Sequence, residues 1–84
     1  MAEVLLTRQA QDDLDRLPLV IHARVMAVLD RLERWPAVSG AKPLSGRLAG
    51  RFRVRTGDYR VLFRVLGHTV TVERIGHRSR FYQD

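Results

Sequence analysis

The ten residues RFRVRTGDYR, residues 51–60, decide how the C-terminal half of this 84-residue chain is expected to fold. Three of the four arginines, Arg51, Arg53 and Arg55, alternate with apolar residues, and a Thr-Gly-Asp turn follows. Alternation with a period of two is typical of a β-strand, so the stretch predicts a strand with one apolar face and one guanidinium face. Because like charges in a row repel each other, the arginines indicate a negatively charged partner.

The period of two continues towards the C-terminus, whereas the N-terminal half has helical periodicity. Thr7 is a good N-cap, and apolar residues spaced by three and four positions follow it. Pro18 suits the first turn of a second helix, and Pro36 stops that helix. The predicted elements are a strand at residues 2–6, helices at 8–17 and 18–35, a loop at 36–50, and strands at 51–55, 59–66 and 69–75.

This order, β-α-α-β-β-β, predicts an α+β domain in which an antiparallel-rich sheet carries both helices on one face. The chain shows no internal repeat, and we expect one domain over residues 1–84. The tail GHRSRFYQD is expected to leave the sheet at the rim of the other face and to form a helical turn. That other face is predicted to carry the strand arginines: Arg51, Arg53, Arg55, Arg60 and Arg64.

Charge is unevenly distributed along the chain, whose formal net charge is +6. Residues 1–41 carry five arginines and six acidic residues, whereas residues 42–84 carry ten basic and three acidic residues. A basic half indicates contact with a polyanion, and arginine, which grips phosphate bidentately, outnumbers lysine fourteen to one. Compositional bias and solubility account for an arginine-rich chain, but not for the concentration of charge in one half.

Several classes of protein are disfavoured by composition. The absence of cysteine excludes disulfides and Cys-based metal sites and fits a cytoplasmic protein. The first residues lack the basic start and apolar stretch of a signal peptide, and the longest apolar region is too short to span a membrane. The three histidines, His22, His68 and His77, lack the spacing of a zinc site. We therefore expect no metal and no cofactor, and no membrane partner.

One histidine stands in a position suited to chemistry. His77 follows a predicted strand and Gly76, beside the basic face, and is directly followed by Arg78. Imidazole can accept or donate a proton near neutral pH, so a His-Arg pair at this place indicates a site that acts on an anion.

These motifs, taken in order, resemble the RelE/ParE superfamily of toxins from type II toxin–antitoxin systems. KPLSGRLAGRFRVRTGDYRVLFRV is similar to the family's loop, basic strand and Gly-x-Tyr-Arg hairpin, and IGHRSRFY is similar to the His-Arg…Tyr ending of the RelE branch. The resemblance covers essentially the full chain. It implies a metal-independent, ribosome-dependent mRNA endoribonuclease, in which the ribose 2′-OH attacks the neighbouring phosphate, and an antitoxin partner that wraps the toxin.

The resemblance also implies roles for particular residues. Arg60 and Arg78 match the family's phosphate clamps, and Tyr82 matches its C-terminal tyrosine, which stacks on a base or assists proton transfer. Arg51 and Arg53 stand where the best-known branch has lysines. The other basic residues expected to contact RNA or the ribosome are Arg55, Arg64, Lys42, Arg47 and Arg80. Because arginine cannot serve as a base at neutral pH, we expect the base to be His77 and the acid or stacking group to be Tyr82.

Alternative interpretations remain open. The chain could be a ParE-like inhibitor of DNA gyrase, since fold does not determine function, or a non-catalytic basic module that binds RNA. The arginines of residues 51–55 could form a solvated edge strand, and Arg60 could pair with Glu73 or Asp58. Phe81 could cap the core or belong to an antitoxin groove.

Overall fold

The computed structural model describes residues 1–81. Two short 3₁₀ turns, Gly46–Leu48 and Arg78–Arg80, accompany the main elements. In chain order those elements are β1 (Glu3–Leu6), α1 (Arg8–Asp15), α2 (Leu19–Leu32), β2 (Lys42–Pro43), β3 (Arg51–Thr56), β4 (Tyr59–Leu66) and β5 (Thr69–His77). Within these residues, no helix is long and apolar enough to cross a lipid bilayer.

The five strands form one mixed sheet in the order β1-β5-β4-β3-β2. β1 pairs with β5 in parallel, and the other three pairings are antiparallel. Both helices pack on one face of this sheet, so the predicted α+β class and antiparallel-rich sheet are confirmed. Glycines at the two hairpin turns, Gly57 and Gly67, both have a φ of 60°, a conformation that costs glycine little.

Thr7 joins α1 to the sheet. Its side-chain oxygen accepts the backbone N–H of Ala10 at 3.1 Å, which is the N-cap bond that the sequence predicts. The same hydroxyl donates to the backbone carbonyl of Glu73 in β5, also at 3.1 Å. The Thr7 side chain therefore caps the start of α1 and also links it to β5.

The core lies between the helices and one face of the sheet. Trp35, just after α2, packs edge-on against Phe52 and Phe63, with ring centroids 4.8 and 5.4 Å away, an arrangement that aromatic pairs prefer. The buried apolar residues of the core are Ala2, Ala10, Leu14, Val25, Val28, Leu29, Leu32, Val54, Val61, Phe63, Val70, Val72 and Ile75.

Several boundaries differ from the predictions: the helices predicted at 8–17 and 18–35 span Arg8–Asp15 and Leu19–Leu32. The segment predicted as a loop contains β2, which pairs with β3, so the interpretation of β3 as a solvated edge strand is wrong. The tail was expected to leave the sheet after residue 75, but β5 continues to His77 because β4 begins at Tyr59 and still offers a partner there. The predicted helical turn of the tail follows, as the 3₁₀ turn Arg78–Arg80.

A β-bulge in β5 changes which residues face the core. Phe63 pairs with Val72 and Leu62 pairs with Arg74, so Glu73 lies opposite no β4 residue. A bulge of this kind re-aims the side chains beside it. Val72 and Ile75 are both buried although they are three positions apart, and the two residues between them both lie outside the core.

Candidate functional site

The face of the sheet opposite the helices, here called the outer face, carries most of the strand arginines. Alternate residues of β3, β4 and β5 line it, and the arginines predicted to lie there do so. The register arranges its residues in three rows across the strands: Arg51, Arg64 and Thr71; Arg53, Leu62 and Arg74; and Arg55, Arg60 and Gly76.

The first row contains an internal counter-ion. Arg51 and Arg64 are direct cross-strand partners, an arrangement in which like charges repel. The Nε of Arg51 donates to Glu73 Oε1 at 2.6 Å, and the Nε of Arg64 lies 3.6 Å from Glu73 Oε2. The interpretation in which Glu73 pairs with Arg60 is therefore wrong, because this carboxylate bridges two other arginines.

The middle of the outer face is shielded from solvent. Arg53 is 4% exposed and Arg60 is 5% exposed, and Leu62, which lies on β4 opposite Arg53, is also buried. Arg60 donates from Nη1 to the carbonyl oxygens of Gly57 and Tyr59, both at 3.3 Å. Its guanidinium therefore points along the sheet towards the β3–β4 turn, at the rim of the outer face.

Arg78 reaches the same turn from the tail. Its backbone N–H donates to the carbonyl oxygen of Asp58 at 2.8 Å, and its Nε lies 3.8 Å from the Asp58 carboxylate. Both side chains are about two-thirds exposed, at 64% and 66%, so this ion pair contributes little to stability. Arg78 can exchange Asp58 for an external anion at low cost.

The ring of His77 contacts Tyr59 and Ser79. The ring meets Tyr59 edge-on, with centroids 5.4 Å apart. Its Nδ1 accepts the backbone N–H of Ser79 at 3.1 Å, and the Ser79 hydroxyl lies 2.9 Å from the same nitrogen. Because Nδ1 accepts a hydrogen bond, the neutral ring carries its proton on Nε2.

Strand alternation separates His77 from Arg60. Arg60 pairs with Gly76 on the outer face, whereas Tyr59 and His77, the next pair along the ladder, project towards the helix side. The two predicted catalytic side chains therefore leave the sheet on opposite faces. Both nevertheless contact Tyr59, Arg60 through the backbone carbonyl and His77 through the ring. The turn 57–59 and residues 77–78 are called the rim from here on.

A cleft of about 470 Å³ adjoins the rim at the edge of β5. Its lining includes Arg16 and Arg80. Asp13 of α1 lies at one wall, where its carboxylate accepts the backbone N–H of Ile75 at 2.9 Å and the Nε of Arg74 at 3.2 Å. β1 pairs with β5 only as far as Val72, so the edge of β5 beyond Val72 has no strand partner on that side. The contacts to Asp13 satisfy part of this open edge.

Phe81 forms another wall of that cleft. Its ring lies 5.6 Å from the guanidinium carbon of Arg74, a cation–π distance. A Cβ atom on Gly76 would come within 2.9 Å of the Phe81 ring, so the ring can lie there only because residue 76 has no side chain. Phe81 thus lies beside Arg60's strand partner and does not enter the core.

The remaining predicted site residues are more scattered. Lys42 pairs with Arg53 in the β2–β3 register and is exposed. Arg47 is exposed in the first 3₁₀ turn, far along the chain from the rim elements. Arg55 and Arg80 are both exposed. Tyr82 lies outside the described residues.

Sequence reasoning missed Asp13, Arg16 and Arg74. Asp13 gave no signal because its role depends on the open edge of β5, which is a property of the topology. Arg74 belongs to the outer-face row only because of the bulge, and its side chain reaches around the edge of β5 to Asp13. Among residues 1–81, no group of three or more His, Asp or Glu side chains could hold a metal ion.

Comparison with known proteins gives a consistent result. The family model described as ParE toxin of type II toxin-antitoxin system, parDE, matches residues 4–82. Toxin RelG of Mycobacterium tuberculosis is 40% identical over 83 residues, which cover 95% of this chain and 94% of that protein.

Solved structures agree with this relationship. The toxin–antitoxin complex RelBE2 of Mycobacterium tuberculosis contains a chain that is 39% identical, with a TM-score of 0.81 and coverage of 92% of this chain and 98% of that one. The archaeal RelE–RelB complex of Pyrococcus horikoshii gives 26% identity and a TM-score of 0.77, with coverage of 95% and 98%. The chain therefore belongs to the ParE toxin family of type II toxin–antitoxin systems, within the RelE/ParE superfamily.

Proposed function

We propose that this toxin inhibits translation as a metal-independent endoribonuclease that cuts mRNA on the ribosome. The observation that carries the proposal is the convergence of two arginines on one turn. The guanidinium of Arg60 and the backbone of Arg78 both bond to residues 57–59. Two cations anchored to one short turn are suited to stabilising the charge that develops on a phosphate during transfer.

The proposed reaction needs no group beyond the RNA and the protein. The 2′-oxygen of one ribose forms a bond to the neighbouring phosphorus, and the bond from phosphorus to the 5′-oxygen of the next nucleotide breaks. The 2′-OH loses a proton to a base, and the departing 5′-oxygen gains one. The products carry a 2′,3′-cyclic phosphate and a 5′-OH. Arg60 and Arg78 bind the non-bridging oxygens, where the extra negative charge develops.

The hydrogen bond that Ser79 makes to Nδ1 limits the ways in which His77 can act. We predicted a base, but the ring nitrogen that has a lone pair, Nδ1, accepts the N–H of Ser79. In this conformation the ring donates a hydrogen bond from Nε2, which suits a phosphate oxygen. A base role through Nδ1 requires the Ser79 contact to break first.

The burial of Arg60 sets a condition on the reaction. Because Arg60 is only 5% exposed, its guanidinium meets a phosphate only after the groups that cover it move. Arg78, which is mostly exposed, is available to make the first contact. In this proposal, mRNA binding at Arg78 precedes engagement of Arg60.

A cognate antitoxin is the proposed partner in the inactive state. Several similar solved structures are toxin–antitoxin complexes. Two kinds of surface fit such a partner: the basic outer face, and the exposed apolar residues Leu19, Val20 and Met26 on α2. An acidic, amphipathic segment that orders on binding complements both.

Gyrase inhibition is the second candidate, and the description of the matching family model as a ParE toxin favours it. In that case the protein blocks gyrase in a supercoiling assay and leaves mRNA intact. A non-catalytic RNA-binding module, the third possibility, binds RNA with a steep salt dependence and cleaves nothing.

Cleavage of a reporter mRNA on translating ribosomes tests the proposal. We expect Arg60→Ala and Arg78→Ala each to lower the single-turnover cleavage rate by about 10²–10³, as is typical when one charge-stabilising donor is removed. Arg8→Ala is the matched control, because Arg8 is an exposed arginine on the helix side of the molecule. Full activity in both rim variants would refute the assigned roles.

A further inference from the structure

The first row of the outer face contains a concave site remote from the rim. The site has a volume of about 450 Å³ and its lining includes Arg51, Arg64, Thr69 and Thr71. Arg64 lies four positions along β4 from Arg60, which corresponds to about 13 Å at the rise of a strand. The site is thus separate from the rim where cleavage is proposed.

Two arginines and one carboxylate give this site its charge. Glu73 is held between Arg51 and Arg64, at 2.6 Å and 3.6 Å. Each contact uses an Nε atom, and a guanidinium has four further N–H donors on its terminal nitrogens. The group of three side chains keeps a net charge of +1, so it can still attract an anion.

The carboxylate of Glu73 supplies the negative charge that Arg51 and Arg64 would otherwise need from a bound anion. Without it, two directly opposed guanidinium groups repel each other. The β-bulge leaves Glu73 without a β4 partner, and its side chain is 18% exposed, against 32% for Arg51 and 57% for Arg64. The arginines are therefore more accessible to an incoming group than the carboxylate that holds them.

We propose that Arg51 and Arg64 form a phosphodiester-binding subsite and that Glu73 is its built-in anionic competitor. The subsite holds the backbone of single-stranded RNA away from the cleavage rim, with the hydroxyls of Thr69 and Thr71 as additional donors. Glu73 keeps the two arginines in place when RNA is absent and weakens RNA binding by its negative charge. This proposal rests on the proposed function for the identity of its ligand as RNA.

Direct binding tests the subsite independently of cleavage. The probe is a fluorescent 2′-O-methyl oligoribonucleotide, which has no free 2′-OH and so cannot be cut by the proposed reaction. Its affinity is measured by anisotropy over a series of KCl concentrations. We expect Glu73→Gln to bind roughly five- to tenfold more tightly at low salt and to steepen the slope of log K against log[KCl] by about 0.7, the value for one further phosphate contact on a single strand.

Glu33→Gln is the matched control, since it makes the same change of charge at an exposed position at the end of α2. Equal slopes for the two variants would overturn the proposal, as would weaker binding by Glu73→Gln. Arg64→Gln provides a second test that keeps Glu73 paired with Arg51. It should reduce the slope by about 0.7, and an unchanged slope would also exclude the subsite.

Two further outcomes separate this inference from the proposed function. If Glu73→Gln binds the oligoribonucleotide more tightly but the protein cleaves no RNA, the subsite is supported and the proposed nuclease activity is rejected. If the protein cleaves mRNA but Glu73→Gln and Arg64→Gln leave the slope of log K against log[KCl] unchanged, the nuclease activity is supported and the subsite is rejected. The affinity for a poly-glutamate peptide is measured in the same way. If Glu73→Gln binds this peptide more tightly but not the oligoribonucleotide, the site is one for an acidic protein and the proposal is overturned.

Discussion

Tyr59 and His77 face each other across the last pair of the β4–β5 ladder, with ring planes at 85° and centroids 5.4 Å apart. Edge-to-face aromatic pairs of this kind contribute about 0.5–1.5 kcal/mol. Ser79 also holds the imidazole, through a hydrogen bond to Nδ1. The orientation of His77 at the rim is therefore fixed by its strand partner and by the turn that follows it.

The tautomer of His77 is the first prediction. Nitrogen-15 NMR of the neutral imidazole should show Nδ1 unprotonated and Nε2 protonated, because Nδ1 accepts the Ser79 N–H. Ser79→Pro removes this donor and should make the two tautomers more equally populated, whereas Ser79→Ala keeps it and should not. A predominant Nδ1–H form in the wild type would show that His77 is free to act as a base through Nε2.

Asp13 provides the second prediction, which concerns stability. Asp13→Ala leaves the Ile75 N–H and Arg74 without their acceptor at the β5 edge. We expect the free energy of unfolding in urea to fall by about 1–3 kcal/mol, the usual cost of an unsatisfied buried polar group. Asp15→Ala, in the same helix, removes only an exposed contact to Gln11 and should change stability by less than about 0.5 kcal/mol. Equal losses in the two variants are inconsistent with this role.

Gly76 provides the third prediction. Gly76→Ala places a Cβ within 2.9 Å of the Phe81 ring, so the ring must move away from its position over β5. Crowding of this kind typically costs about 1–3 kcal/mol. Phe81→Ala should remove most of that cost when combined with Gly76→Ala, and a double-mutant cycle of urea unfolding measures the coupling. Additive effects of the two substitutions would mean that the ring and residue 76 are not in contact.

Much of the fold could be predicted because periodicity reports local geometry. The alternation in residues 51–66 gave β3 and β4 to within a residue, and Thr7 marked the start of α1. The bulge at Glu73 could not be predicted, since it appears only when β5 is aligned with β4. For the same reason Arg74 was not assigned to the outer face.

The candidate site was predicted less completely than the fold. Alternation correctly assigned Arg60 to the outer face, but it gave no indication that this arginine is buried, because burial depends on neighbours that are distant in sequence. It also suggested no separation between Arg60 and His77, which the register places on opposite sides of the sheet. Asp58, a turn residue in the sequence, proved to be the ion-pair partner of Arg78.

The chemistry of the cut ends tests the nuclease most directly. Ribosomes need Mg²⁺, so the role of a metal is better determined from the products than by chelation. We predict that this toxin cuts a reporter mRNA on translating ribosomes to give 2′,3′-cyclic phosphate and 5′-OH ends, and that a single 2′-deoxy substitution at the cleaved nucleotide abolishes the cut. Products with 5′-phosphate ends, cleavage that persists at the 2′-deoxy position, or intact mRNA together with inhibited gyrase would contradict the account.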